Sequence, residues 1–278
     1  MSELVNEYVE AVPAPPLRPH VASYTGYRIS GFDPGIHAGL PSASLTFIVA
    51  FDEPLDLMAP PGPGQSPGRY RTLLAGLHSS PAMVRHQGRQ HGIQLELTPR
   101  GALALLGLRP GDMARRVESL DQFDQRFARI LVERLEDAPT WRARFDVLDA
   151  MLALRLGDAT LPAQLDRAWQ LLVRSGGRIG VAEVAAHVDW SRRHLSEQFR
   201  RTFGLPPKTL GNVVRFERAQ RLLRHPSRPA LADVAAECGY ADQSHMARQW
   251  QAFAGASPTA WLADERLPFV QDDDRLAV

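Results

Sequence analysis

Apolar positions change their period along this chain. Over residues 21–30, 43–52, 69–78 and 92–97 they stand among β-branched and aromatic neighbours, bounded by Gly, Pro and Asp, which predicts short strands. After Thr98 and Pro99 the spacing turns helical. Segments 101–108, 120–136, 140–156 and 162–173 repeat apolar residues every three or four positions, as in Trp141, Phe145, Leu148, Leu152 and Leu156. Asp121, Thr140 and Ser191 stand where a side-chain oxygen can cap a helix start. The run from Ala59 to Gly68 is rich in proline and glycine, which remove ladder donors and raise chain entropy, so it predicts a loop. An antiparallel β unit followed by helices is the resulting expectation.

The helical part then repeats itself. Val181-Ala-Glu-Val-Ala-Ala186 returns as Leu231-Ala-Asp-Val-Ala-Ala236, His194-Leu195 as His245-Met246, Phe199 as Trp250, Gly204 as Gly255 and Pro207 as Pro258. The offset is 50 before the turn and 51 after it, so one residue has been added in the turn. Each copy predicts a supporting helix, a turn and a second helix, the build of a major-groove reader. In the first copy, 181–188 supports and 192–203 recognises. Leu195 and Phe199 share the inner face, while Arg193, Ser196, Glu197 and Arg200 form an outward polar stripe, with Arg192 beside it. The second copy presents Gln243, Ser244, Ala247, Arg248 and Gln251. Arginine and glutamine suit guanine and adenine edges, and glutamate the cytosine amino group. Residues 207–224 predict one connecting helix of roughly 27 Å, with Arg215, Arg218, Arg221 and Arg224 outside and His225-Pro226 ending it. A solvated helix face is the bland meaning of a polar stripe; the duplication favours DNA.

These residues resemble the DNA-binding domain of the AraC/XylS family of bacterial transcription regulators. The resemblance covers roughly residues 167–263 and rests on the paired repeats, the run Ala235-Ala-Glu-Cys-Gly-Tyr-Ala-Asp-Gln-Ser-His245, Arg248, Trp250 and the Gly255-to-Pro258 ending. Trp250 stands where the family usually has Phe. The resemblance implies seven helices, a cytoplasmic protein, promoter binding and RNA polymerase as a partner. It places base reading on Arg193, Ser196 and Glu197, and on Gln243, Ser244, Ala247 and Arg248. It also implies a sensory N-terminal domain, for which a cupin-like barrel is one form.

Composition adds limits. The chain has 278 residues and a net charge of +1, with one cysteine, Cys238. That excludes an internal disulfide and a cysteine zinc site and suits a reducing compartment. No segment has the apolar length of a membrane span, and the acidic start lacks a signal peptide's basic, then apolar, pattern. Residues 165–267 carry 15 basic and 10 acidic side chains, while the remainder is acidic in balance. A polyanionic partner therefore suits the C-terminal part alone.

The expected fold is α+β: an antiparallel β domain with helices over 1–160, an all-α double helix-turn-helix domain over 161–266, and an acidic flexible tail over 267–278. Ser175-Gly-Gly177 interrupts the pattern just before the repeats, leaving 162–173 as a packing helix for the second unit. Apolar Val147 and Leu154, off the main stripe of 140–156, suggest a homodimer face. His37, His78, His86 and His91 do not have ligand spacing, so neither metal nor cofactor is expected. Arg28, His37, His78 and Gln94 are the candidate contacts for a small-molecule effector. The expected function is an effector-responsive, sequence-specific regulator, an activator by family resemblance and not an enzyme. The alternatives are a cupin-type metalloenzyme fused to a DNA-binding module and an effector-independent architectural DNA binder.

Overall fold

A computed structural model describes residues 4–225 and 229–263, so the expected tail over 267–278 lies outside the described residues. The N-terminal part contains ten strands: β1 Val5–Ala11, β2 Val21–Ser30, β3 Gly35–Gly39, β4 Leu45–Ala50, β5 Leu55–Ala59, β6 Gly68–Tyr70, β7 Thr72–Ala75, β8 Ala82–His86, β9 Gln90–Leu97 and β10 Val117–Ser119. They form a six-stranded sheet in the order β1-β2-β9-β4-β7-β10 and a four-stranded sheet in the order β3-β8-β5-β6. All described pairings between these strands are antiparallel.

Alternation decides which side chains go where. From the large sheet, Leu73, Ala75 and Val117 pack on Leu57 and Val84 of the small one, so the two sheets face each other as a sandwich. Tyr24, Phe47 and Leu95 point to the opposite face and meet Leu131 and Leu148, carried on α3 (Asp121–Asp137) and α4 (Trp141–Ala153), numbered after α1 (Pro99–Leu106) and α2 (Pro110–Met113). Gly26 lets α4 lie close: a Cβ there would come 2.4 Å from the Trp141 ring.

Several sequence expectations need correction. The segment 69–78 is not one strand; it breaks at Arg71, and the chain passes from the small sheet to the large one. β1, β3, β5 and β8 carry weak patterns of their own, and pairing with neighbours makes them strands. Asp121 does not cap α3, because Leu120 is its N-cap and the Asp121 carboxylate accepts from the Thr72 and Ser119 hydroxyls. The helix kinks at Asp124, whose carboxylate accepts from Phe127 N at 2.9 Å and does the capping. Thr140 caps α4 as expected, accepting from Ala143 N at 3.2 Å.

Among the described residues seven further helices follow: α5 Ala163–Arg174, α6 Val181–His187, α7 Arg192–Phe203, α8 Pro207–Arg224, α9 Leu231–Glu237, α10 Gln243–Ala254 and α11 Pro258–Ala263. Trp169 of α5 stacks on Phe199 at 6.5 Å and lies 4.7 Å from Phe203, which ties α5 to the first repeat. The core of that repeat is continuous with the core beneath the large sheet. The second repeat has its own core, where Trp250 lies 4.8 Å from Phe216 and 5.2 Å from Trp261.

Candidate nucleic-acid interface and effector slot

The two repeats fold alike. Val184 and Ala185 are buried in α6, as Val234 and Ala235 are in α9. The turn requires a left-handed residue, supplied by Asp189 at φ 56° in the first copy and Gly239 at φ 77° in the second. Trp190 then meets His194 edge-on at 4.6 Å, and Tyr240 meets His245 at 5.5 Å. Ser191 accepts from His194 N at 3.2 Å, and Asp242 from His245 N at 2.6 Å. Ala241 is therefore the added residue: Tyr240 is 50 beyond Trp190 and Asp242 is 51 beyond Ser191.

The second helix of each repeat buries one face and offers the other. In α7, Leu195, Phe199 and Phe203 are fully buried, whereas Arg192, Arg193, Glu197 and Arg200 are exposed and Ser196 is half-buried. In α10, Met246 and Trp250 are fully buried, Gln243, Ser244, Arg248 and Gln251 are exposed, and Ala247 is half-buried. Gln251 spends its amide on the helix end, donating to Gly255 O at 2.8 Å. Arg193, Ser196 and Arg200 line a groove with Lys208, which enters from the start of α8 and which the sequence had not singled out. Lys208, the only lysine in the chain, follows Pro207 at the start of α8.

The connecting helix spans the expected residues, yet its arginines are not all outside. Arg224 is buried with its guanidinium 4.5 Å above the Trp261 ring, and Arg215 donates to Gly177 O at 2.8 Å. The thiol of Cys238 is buried and pushed up to about 11, chiefly by loss of water, as expected of a small core residue.

Three of the four candidate effector residues come together. His37, His78 and Gln94 line a slot between the two sheets, with Tyr27, Ile48 and Leu57. Burial pulls the His37 imidazole down to about 3, with His86 adding to it, and that of His78 down to about 4. His78 Nδ1 lies 2.7 Å from Ser80 O. The slot is thus uncharged at neutral pH, with a cavity of about 70 Å³.

Arg28 lies elsewhere. It opens on an adjoining cleft of about 320 Å³ with Arg69, Arg85 and Arg89. Arg85 faces Asp56 at 3.6 Å, and Arg89 pairs with Glu53. Tyr27, Leu55 and Gln90 line both cavities, so an uncharged slot abuts a cleft lined by four arginines and three carboxylates. His86 and His91 sit at this cleft, His91 3.1 Å from Asp52. Among the described residues no three metal-ligating side chains gather in one place.

A β-sandwich joined to two helix-turn-helix units on a shared rod is the architecture of a two-site DNA-binding protein. Residues 184–264 match the family model described as a helix-turn-helix domain. Over 63 residues the chain is 41% identical to the HTH-type transcriptional activator RhaS of Klebsiella pneumoniae (strain 342), covering 23% of this chain and 22% of RhaS. It is 37% identical over 57 residues to the uncharacterized HTH-type transcriptional regulator YbfI of Bacillus subtilis (strain 168), covering 20% of each. The matched segment thus spans about a fifth of these curated relatives. Residues 184–264 therefore form a helix-turn-helix domain similar to that of the AraC/XylS family. Across both domains the fold is similar to that of ToxT from Vibrio cholerae O395, with a TM-score of 0.51 at 12% identity over 86% of this chain and 96% of ToxT. A second ToxT structure, from strain SCE256 and described as bound to an unsaturated fatty acid, gives a TM-score of 0.50 at 12% identity over 94% and 97%.

Proposed function

We propose that this chain is a transcription regulator that reads promoter DNA with α7 and α10 and senses a small molecule in its sandwich. The carrying observation is the pair of like-folded helix-turn-helix units on one rod, each with a buried apolar face and an exposed polar stripe. Residues 161–266 serve as the DNA-binding unit and 1–160 as the sensing unit. Arg193, Ser196 and Glu197 read one half-site, and Gln243, Ser244, Ala247 and Arg248 the other; Arg192, Arg200 and Lys208 hold phosphates. Exposed Leu154, 88% accessible beyond the end of α4, supports pairing of two copies through this face, whereas Val147 packs inward. No described helix is long and apolar enough to cross a membrane, which accords with work on cytoplasmic DNA.

Slot and cleft together support one kind of effector: a short apolar group bearing a carboxylate. A dry cavity of about 150 Å³ takes benzene, so the slot's 70 Å³ suits a branched chain of a few carbons and not a long acyl tail. Arg28 and Arg69 offer charge for the carboxylate: among the described residues, neither is in an ion pair. Fluorescence titration of the full chain with fragmented DNA of its own genome tests the main reading. Sequence-selective binding that weakens steeply with salt is expected; equal affinity for every fragment would contradict it.

A further inference from the structure

We propose that β3 is the lever that carries occupancy of the slot to the second helix-turn-helix unit, a proposal that rests on reading the slot as the effector site. His37 and Gly39 line the slot. β3 is an edge strand, paired among the described residues with β8 alone. The next residue along, Leu40, is 2% exposed and leaves the sandwich for the core of the second unit, with Val213, Phe216, Met246 and Trp250. Ala38 packs on the same cluster. Shortly afterwards Ala43 N donates to Glu217 Oε1 of α8 at 3.1 Å. An occupant of the slot therefore bears on a strand supported along one side, whose end is embedded in the core that orients α10.

The first unit is attached quite differently. α2 lies close against the end of α7: a Cβ on Gly111 would come 2.5 Å from Arg201 O and one on Gly204 2.0 Å from the Ala114 Cβ, and Met113 shares a core with Phe199 and Phe203. Neither α2 nor α7 lines the slot. Close-packed interfaces of this kind hold one arrangement. Occupancy thus shifts the second reading helix and leaves the first in place.

A double-mutant cycle on the full chain tests this without any ligand. Ile48 lines the slot from the opposite sheet, so Ile48→Phe stands in for an occupant. Hydrogen exchange of the α7 and α10 amides is compared in the wild type, Ile48→Phe, Leu40→Ala and the double variant. Ile48→Phe is expected to alter exchange over 243–254 by about fivefold or more, the scale of ordinary allosteric coupling, with no change over 192–203. In the Leu40→Ala background the effect disappears. No change at 243–254, an equal change at 192–203, or an effect that survives Leu40→Ala overturns the lever. Should thermal melts find Ile48→Phe unfolded, Thr46→Leu, which also fills the slot, takes its place. Calorimetry of the wild type with isovalerate separates the two readings. Absence of heat with a positive cycle removes the short-acid effector and keeps the lever, whereas heat with a null cycle does the reverse.

Discussion

At the residue scale, the buried imidazoles of His37 and His78 contribute to how the sandwich responds to acid. His37 and His78 stay neutral in the folded chain down to about 3 and about 4, whereas an unfolded histidine takes up its proton near pH 6.5. Between those limits the unfolded state binds more protons, so stability is intact above pH 6.5 and falls as the pH drops toward 4. The slope reaches roughly 1 kcal/mol per pH unit for each imidazole. Urea melts at pH 7 and pH 5 are expected to reveal this loss, with a smaller loss in His78→Gln; an unchanged slope in that variant would count against the assignment. Arg28 makes a second residue-scale case. Arg28→Ala should weaken isovalerate binding by calorimetry about tenfold, the usual scale for losing one charge-assisted contact, while His37 and His78 keep the slot intact. Undiminished affinity would place the carboxylate elsewhere.

At the scale of elements, the repeat provides a built-in control. Gly239 and Asp189 occupy the same left-handed position, so their substitutions should act in opposite directions. Gly239→Ala is expected to cost about 1–2 kcal/mol, the penalty for a Cβ in that region, whereas Asp189→Gly should be neutral or stabilising in the same thermal melts. Equal losses would mean that the turn is held by something other than its backbone conformation. This symmetry was legible in the sequence, together with the α8 span and the Thr140 and Ser191 caps, because helix spacing and caps are local signals. The edge strands were not. β1 and β3 carry little pattern of their own and become strands because β2 and β8 offer them partners. Asp121 looked like a cap, but the hydroxyls of Thr72 and Ser119 took its carboxylate and Asp124 replaced it. Such competition is settled by residues distant in sequence, as it is for Arg224, drawn inward by Trp261.

At the scale of the whole molecule, the N-terminal part touches both helix-turn-helix units. It does so through Gly111 on α7 and through Leu40 and Ala43 on the second core and α8. The four candidate effector residues all lie in or beside the β strands, yet the division of Arg28 from His37, His78 and Gln94 depends on which way β2 turns its faces, and no local pattern reveals that. As proposed reading helices, α7 and α10 on one rod of roughly 27 Å suit adjacent major grooves about 34 Å apart. The most direct test is a binding selection on random duplexes with the full chain and its Arg193→Ala, Arg248→Ala and Arg200→Ala variants. The wild type should select a two-part site one helical turn apart. Arg193→Ala should relax one base preference in one part and Arg248→Ala one in the other, each costing about 1–3 kcal/mol, while Arg200→Ala lowers affinity evenly and reduces the salt slope by about one. Arg193→Ala and Arg248→Ala proteins that keep every wild-type base preference while affinity falls uniformly would contradict DNA reading by these two helices.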